Sequence, residues 1–473
     1  MPDRSDLIRE ILDGPRGPRV GAFFDVDRTL LAGFSAAEFI RDGIVSGRMS
    51  VGTMWETAAA IAHFQLGRIG FSSFVARTSG ALRGMQETEF AAIGERLFRE
   101  RLAANIYPEA RALVQAHRRK GHTVAVVSSA TPYQIEALAR ELGIPHVLCT
   151  RLEVRDGVFT GSVLKPTCYG DGKASHAREL AAAHRIDLDR SYFYSDSHED
   201  LPLFAVVGNP RPINPDGRLR EIAVKRGWPI RSFSSRGTPG PTEVLRTALA
   251  VGGLVPAVLL GLPSFALDGS WRRAINIAGS VWGEVGTAIA GIDVQVKGES
   301  HLWSHRPAVF IFNHQSAIDM LLLCKLLRRD FIGIAKKEVK RNPIFGPIFT
   351  LAGSVFVDRS NHEQAVQALE PAIDALRQGL SVAIAPEGTR SPTPRIGRFK
   401  KGAFHLAMAA KVPVVPIVFK NALDALPKHG IFVRSATVEA VVHKPIWTDD
   451  WSFENLDEKI AAVRQLYQRT LKA

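Results

Sequence analysis

Cysteine is scarce: Cys149, Cys168 and Cys324 stand singly in a chain of 473 residues. That spacing supports neither a disulfide framework nor a thiolate metal site, and it fits a reducing compartment. Zinc-finger spacing, a helical basic run and interleaved aromatic and basic residues are also missing, so nucleic acid is not an expected partner. The chain opens on Met1 to Asp13, a charged amphipathic stretch without an apolar core, so no signal peptide is expected. No internal repeat is found. Long apolar runs are nearly absent too: Ala248 to Leu267 is the one uncharged stretch of about 20 residues, the length that crosses a bilayer as a helix.

What is present is bulk and positive charge. A chain of this length with 46% hydrophobic residues is too long for one ordinary core and suggests two or three domains. The formal net charge is +13; up to Ile230 there are 30 Lys and Arg against 27 Asp and Glu, and beyond it 30 against 20. The basic excess therefore lies mostly in the second half, where it suits an anionic membrane surface or acidic substrates.

That half contains Asn313-His314-Gln315-Ser316-Ala317-Ile318-Asp319-Met320, directly after the apolar run Ala308 to Phe312. An imidazole that removes a proton from an alcohol needs a partner to fix its tautomer and stabilise the imidazolium, and an aspartate does both. On one continuous helix, residues five apart point roughly 140° away from each other. The pair meets only if His314 lies in the turn leaving a strand and Asp319 in the first turn of the next helix, with Ser316 as a cap.

The N-terminal half reads strand first. Arg19 to Phe24 runs into Asp25-Val26-Asp27-Arg28-Thr29, whose carboxylates can divide attack and proton transfer but alone fit a surface loop or structural metal site as well. Further on, the apolar strand Thr123 to Val127 ends in Ser128-Ser129, Gly170-Asp171-Gly172-Lys173 opens a helix, and Tyr192-Phe193-Tyr194 ends in Ser195-Asp196-Ser197-His198-Glu199-Asp200. Strand ends are where open α/β sheets place ligands. In this order the motifs resemble the haloacid dehalogenase (HAD) superfamily of phosphohydrolases over about Pro18 to Trp228. The resemblance implies a Rossmann-like α/β domain in which Asp25 is the nucleophile and Asp27 the general acid and base. It implies Ser128 and Lys173 as ligands of the transferring phosphoryl group. It also implies Mg²⁺ held by the Asp25 carboxylate, the Asp27 carbonyl and Asp196, with Asp200 in support.

Residues 32–108 are expected to form a helical cap like that of the subclass containing phosphoserine phosphatase. That enzyme carries a glutamate nine residues after its nucleophile, where this chain has Phe34; Glu38 lies one helical turn on, and the cap offers Phe64, Phe71 and Phe74. A cationic amine buried against Phe34 would lack a partner at a cost. The expectation therefore moves from phosphoserine towards another phosphomonoester, apolar or lipid.

After a Ser-, Gly- and Pro-rich linker the chain alternates strands and helices again. Four blocks follow the His314 and Asp319 pair: Gly353 to Arg359, Ala383 to Ser391, Phe399 to Gly402 and Val412 to Ile417. Together they resemble the glycerolipid acyltransferase family, most closely the 1-acylglycerol-3-phosphate acyltransferases, over about Val294 to Pro445. The resemblance implies His314 as the base on the acceptor hydroxyl, oriented by Asp319. Substrate binding would fall to Arg359, Glu387, Gly388, Thr389 and Arg390, with further contacts from Lys336 and Lys337 or Lys400 and Lys401.

The expected architecture is thus α/β twice over. It comprises an N-terminal amphipathic segment (1–17), a HAD-like domain (18–230), a linker (231–243), apolar membrane-associating helices (244–292) and an acyltransferase domain (293–473). Gly252, Gly253, Pro256, Gly261 and Pro263 are expected to break or kink Ala248 to Leu267. With the less apolar Ala274 to Ile292, that run reads as a membrane hairpin, as buried helices of a soluble domain, or as a single span. The single span is disfavoured because it would separate two halves that both suit the cytoplasmic side. The functional expectation is a bifunctional enzyme of phospholipid synthesis. Its acceptor is a lysophospholipid and its donor an acyl thioester, acyl-CoA or acyl-carrier protein. The Mg²⁺-dependent phosphatase half has no substrate assigned; phosphoserine, phosphatidate or a regulatory role are its alternatives. The oligomeric state is not legible.

Overall fold

The computed structural model describes residues 4–49, 51–65, 68–343, 345–357 and 369–472. It divides into two compact units, Met1–Thr238 and Pro239–Ala473.

The first unit is built on strands whose inner members carry short buried apolar runs, the pattern of a parallel sheet covered on both faces. In chain order these are β1 (Val20–Phe24), β2 (Thr123–Ser128), β3 (His146–Cys149), β4 (Leu152–Arg155), β5 (Val158–Val163), β6 (Asp187–Ser195) and β7 (Asn209–Pro212). All five residues of β1 are buried. The parallel sheet runs β3-β2-β1-β6-β7, with Phe23 opposite both Ala125 and Phe193. Its order puts the ends of β1, β2 and β6 side by side, which is what assembles the motifs.

Residues 32–108 are mainly helical where described, with Ser35–Val45, Val51–Gln65, Phe71–Ser79 and Glu87–Leu97 joined by short turns. One part of the cap went unread in sequence: β4 and β5 form an antiparallel hairpin that packs on it. Val75, Leu152 and Phe159 make a small core there, joined by Phe71, Phe74 and Phe90. Phe71 and Phe74 therefore serve the packing of the cap; the side chain of Phe64 lies outside the described residues.

The second unit holds β8 (Ile292–Lys297), β9 (Val309–Phe312), β10 (Phe331–Lys336), β11 (Val355–Val357), β12 (Ser381–Ile384), β13 (Val414–Lys420) and β14 (Ala436–Val442). Their order is β11-β10-β12-β9-β13-β14-β8, parallel throughout except between β13 and β14. Ahead of them, Pro241–Asp268 is one helix long and apolar enough to cross a membrane. The expected break is slight. Helices Pro241–Gly252 and Leu254–Asp268 meet at Gly253, whose N–H still reaches Leu249 O at 2.8 Å. Pro256 falls in the first turn of the second of these, where a missing N–H costs little.

The next helix, Trp271–Ala290, folds back on it after Gly269. Gly261 explains the close approach, since a Cβ there would stand 2.4 Å from Ala274 O. Trp271–Ala290 in turn lies on helix Asp319–Leu327, where a Cβ on Gly283 would meet Lys325 N at 2.3 Å. Val255, Leu259, Leu260 and Leu267 remain exposed on the outer helix.

Candidate active sites

In the first unit Asp25 follows β1, and its N–H donates to Tyr194 O on the neighbouring β6 at 2.9 Å. Lys173 reaches it from the helix Asp171–His184. That approach depends on glycine, because a Cβ at Gly172 would stand 1.9 Å from Thr167 O. Lys173 Nζ donates to Asp25 Oδ1 at 2.7 Å and to Asp200 Oδ2 at 2.8 Å. Asp200 Oδ2 also accepts from Ser195 Oγ at 2.5 Å. Ser128 is buried at the end of β2, where its hydroxyl accepts from Ala130 N–H at 3.2 Å.

The electrostatics follow from burial. Desolvation raises the Asp25 carboxyl to about 7 although Lys173 opposes it, and Asp200 pushes it further up. Desolvation likewise raises Asp196 to about 8; the Asp25 charge adds to this and Arg28 subtracts. Burial opposes the Lys173 charge, but Asp200 and Asp25 more than offset it and hold the ammonium. Burial also raises Asp27, whose oxygens accept from Ser35 N–H at 2.7 Å and Ser35 Oγ at 3.3 Å.

Among the described residues no three His, Cys, Asp or Glu side chains form a ready metal cage. Asp200 is held by Lys173 and Ser195, and the Asp27 carboxylate faces Ser35, which bears on its side chain and not on the carbonyl expected to meet a cation. What fits a hard divalent cation is the pair Asp25 and Asp196, carboxylates whose pKa burial raises, Asp196 further through the Asp25 charge, and which such an ion would relieve. Arg28 was not assigned a role from sequence. Its φ is 59°, and Nη1 lies 3.2 Å from Asp196 Oδ2.

In the second unit β9 ends at Phe312 and the helix Asp319–Leu327 starts at Asp319 itself, the strand-turn-helix geometry the spacing demands. His314 Nδ1 lies 2.8 Å from Asp319 Oδ2, which also accepts from Gln315 N–H at 2.9 Å and Ser316 N–H at 3.0 Å. Two backbone N–H groups already donate to Oδ2, so that oxygen is an acceptor and Nδ1 carries the proton. The lone pair is then on Nε2, the nitrogen free to act as a base. Ser316 does not cap the helix: its hydroxyl donates to Leu426 O at 2.6 Å and accepts from Ile318 N–H at 3.2 Å.

Glu387 spans the turn around His314. One oxygen accepts from His314 N–H at 3.0 Å and the other from Gly397 N–H at 2.8 Å. Burial raises its pKa against both bonds. Gly388 has φ 74°, and Lys400 lies over it with Cε 3.1 Å from where a Cβ would sit. Ser391 N–H donates to His314 O at 2.7 Å, which brings half-buried Arg390 and exposed Thr389 to the edge of the site. Arg359 lies outside the described residues.

Asn313 was missed in sequence. It is buried, and its amide donates to Phe419 O at 2.9 Å and accepts from Phe419 N–H at 2.7 Å. Those bonds extend the β9–β13 ladder past Phe312 and anchor the turn that carries His314; a polar residue closing an apolar strand was the available signal.

Two α/β folds, one ending its strands in paired carboxylates and the other presenting a histidine-aspartate base, define a phosphohydrolase-like unit joined to a transferase-like one. The family description haloacid dehalogenase-like hydrolase matches residues 22–205, and the description acyltransferase matches residues 293–420. A phosphoserine phosphatase of Mycobacterium tuberculosis is 37% identical over 252 residues, covering 52% of this chain and 78% of its own length. A 1-acyl-sn-glycerol-3-phosphate acyltransferase of Limnanthes alba is 34% identical over 231 residues, covering 49% of this chain and 79% of its own. Among solved structures, a 1-acyl-sn-glycerophosphate acyltransferase of Thermotoga maritima is 22% identical with a TM-score of 0.40, covering 48% of this chain and 97% of that one. The chain belongs to the haloacid dehalogenase-like hydrolases in its first half and to the glycerolipid acyltransferases in its second.

Proposed function

We propose that this chain is a bifunctional enzyme of phospholipid synthesis that acylates 1-acylglycerol-3-phosphate to phosphatidate and hydrolyses a phosphomonoester at its other site. The observation that carries the acyltransferase reading is the buried Asp319 carboxylate holding the proton on His314 Nδ1. His314 Nε2 takes the proton of the acceptor hydroxyl as its oxygen bonds to the thioester carbonyl carbon. The C–S bond then breaks, and the thiolate leaves with the proton from His314. The acceptor phosphate meets Arg390, with Arg359 from the preceding block, because a planar guanidinium suits phosphate oxygens. The thioester is acyl-CoA or acyl-carrier protein, met on the cytoplasmic side of a membrane held by the apolar helices and the basic surface.

In the phosphatase half an Asp25 oxygen attacks phosphorus, the ester P–O bond breaks, and Asp27 gives its proton to the departing alkoxide. Asp27 then takes a proton from the water that attacks the aspartyl-phosphate, which frees phosphate and Asp25. Lys173 neutralises charge throughout and Ser128 holds a phosphoryl oxygen. HAD phosphatases generally use Mg²⁺, which Asp25 and Asp196 would hold and which would supply charge neutralisation at the phosphoryl oxygens. Glu38 offers little to an amino group because Arg101 engages it at 3.0 Å, and Phe34 is 60% exposed beside Ser35. Both favour a phosphomonoester without an ammonium group over phosphoserine.

Mass spectrometry of the purified protein with lysophosphatidate, acyl-CoA and Mg²⁺ tests both halves. Phosphatidate is expected, lost in His314→Ala and retained in Asp25→Asn. Phosphate release from a phosphomonoester panel is expected to show the reverse pattern. Phosphatidate formation by His314→Ala, or full phosphatase activity in Asp25→Asn, would remove the corresponding half of the reading.

A further inference from the structure

Where Ser270 starts the helix Trp271–Ala290 and the helix Asp319–Leu327 ends, Arg272, Arg273, Arg328 and Arg329 line one open pocket of about 560 Å³. Two carboxylates are close. Asp268 pairs with Arg273, and Asp330 in the pocket wall accepts from Asn276 Nδ2 at 2.7 Å. Two positive charges stay in excess, on a rim where Arg328 and Arg329 are both exposed. The start of a 20-residue helix adds its own preference for an anion.

The pocket does not stand alone. Asn276 and Arg328 also line an apolar cavity of about 100 Å³, walled by Leu254, Val258, Trp271 and Trp282. That is space for several water-sized groups, but the walls are those of a hydrocarbon site. A charged mouth and a greasy interior that share residues match a molecule with an anionic head and an apolar tail. The mouth lies at the end of the helix Asp319–Leu327 opposite Asp319, about 13 Å away at 1.5 Å per residue. It is therefore at the far end of that helix from the His314 and Asp319 pair, and Arg390 does not line it.

We propose that this composite binds one anionic phospholipid, its phosphate on Arg328 and Arg329 with Arg272 behind them, and an acyl chain in the cavity. The inference rests on the membrane-association reading and does not depend on which hydroxyl is acylated. Occupancy ties the membrane-facing helix pair to the helix that carries Asp319.

The test uses full-length protein in neutral-detergent micelles doped with brominated phosphatidylglycerol or brominated phosphatidylcholine. Bromine quenches nearby tryptophans, and Trp271→Phe and Trp282→Phe identify the share of emission that comes from the cavity. The anionic lipid is expected to quench that share at a mole fraction about tenfold lower than the neutral one, and R328Q/R329Q to abolish the preference. Equal quenching by the two lipids, or a preference that survives in a natively folded R328Q/R329Q, overturns the proposal. Excess inorganic phosphate at constant ionic strength is expected to leave the quenching intact; displacement by phosphate alone would make this a free-anion site and overturn the lipid assignment. Sedimentation with neutral vesicles reads membrane association separately and is expected to be the same for wild type and R328Q/R329Q.

Discussion

Replacing Asp319 by asparagine removes one charge and almost no volume, so it isolates what the carboxylate does for His314. Oδ2 accepts three N–H groups at 2.8, 2.9 and 3.0 Å, two of them from backbone. An asparagine must keep its carbonyl oxygen there, because turning its NH₂ inward would set donor against donor. Its NH₂ then falls where Oδ1 lies, a buried position with no hydrogen-bond partner among the described residues. An unmet buried donor costs about 1–3 kcal/mol of stability, so the variant folds but melts earlier.

The catalytic loss is larger and has a different origin. His314 still finds an acceptor, but the imidazolium formed during proton transfer loses its counter-charge. Two unit charges about 4 Å apart interact by about 4 kcal/mol at an effective dielectric constant of about 20. That is about three decades in rate at about 1.4 kcal/mol per decade. The His314 side chain is 27% exposed, so water screens part of the interaction; the expected fall in kcat/KM is about 10²- to 10³-fold. Thiol release from acyl-CoA in the presence of lysophosphatidate measures it, with a thermal melt as the control for folding. A folded Asp319→Asn protein that keeps more than about a tenth of wild-type kcat/KM would refute the reasoning.

A second prediction concerns pH. In the first unit the hydrogen bonds of a buried chain fix its protons: His122 Nε2 donates to Pro15 O at 2.8 Å, so His122 Nδ1 accepts from His117 Nδ1 at 2.8 Å and His117 Nε2 accepts from the Tyr194 hydroxyl at 2.8 Å. Burial lowers the pKa of both imidazoles below 6.5, and His122 lowers that of His117 further. The unfolded chain therefore binds more protons than the folded one below about pH 6.5, so the stabilisation is present above that pH and lost as pH falls. The raised Asp25 and Asp196 carboxyls act in the opposite sense, so the prediction is a difference: from pH 7 to pH 5 the melting temperature of the phosphatase activity should shift less favourably in wild type than in His122→Gln, and an identical pH dependence in the two counts against the assignment. A third concerns packing. Gly283→Val places side-chain atoms where a Cβ alone would already be 2.3 Å from Lys325 N, so it should part helix Trp271–Ala290 from helix Asp319–Leu327. A destabilisation of about 1–3 kcal/mol is expected, with acyl transfer falling while phosphate release is unchanged. Retention of wild-type acyl transfer would show that the two helices are not coupled.

What could be read in the sequence was whatever depends on a few consecutive residues. His314 and Asp319 meet within one strand-turn-helix unit, and a spacing of five leaves them little other way to do so. Asp25, Lys173 and Asp196 were legible for a related reason, since each marks the end of a strand or the start of a helix. Supporting contacts that cross long stretches of chain left no such mark. Ser316 has the composition of a helix cap, but its hydroxyl is drawn to Leu426, 110 residues on, and no local pattern announces that. Gly252 to Pro263 were expected to interrupt the apolar run on propensity grounds, yet helix persists on both sides of Gly253. Gly261 in particular is where Ala274 comes too close for any side chain. A residue that weakens a helix in isolation is here what lets two helices touch, and tertiary contact overrides the local preference. Phe71 and Phe74 show the same limit from the other side. Their apolar character suggested a surface offered to substrate, but the unread hairpin of β4 and β5 supplied Phe159 and Leu152 to cover them. Hydrophobicity states that a side chain will be buried and leaves open by what. The partner that decides between core and binding surface is a matter of topology, which leaves Phe34, 60% exposed, at the surface of the first unit.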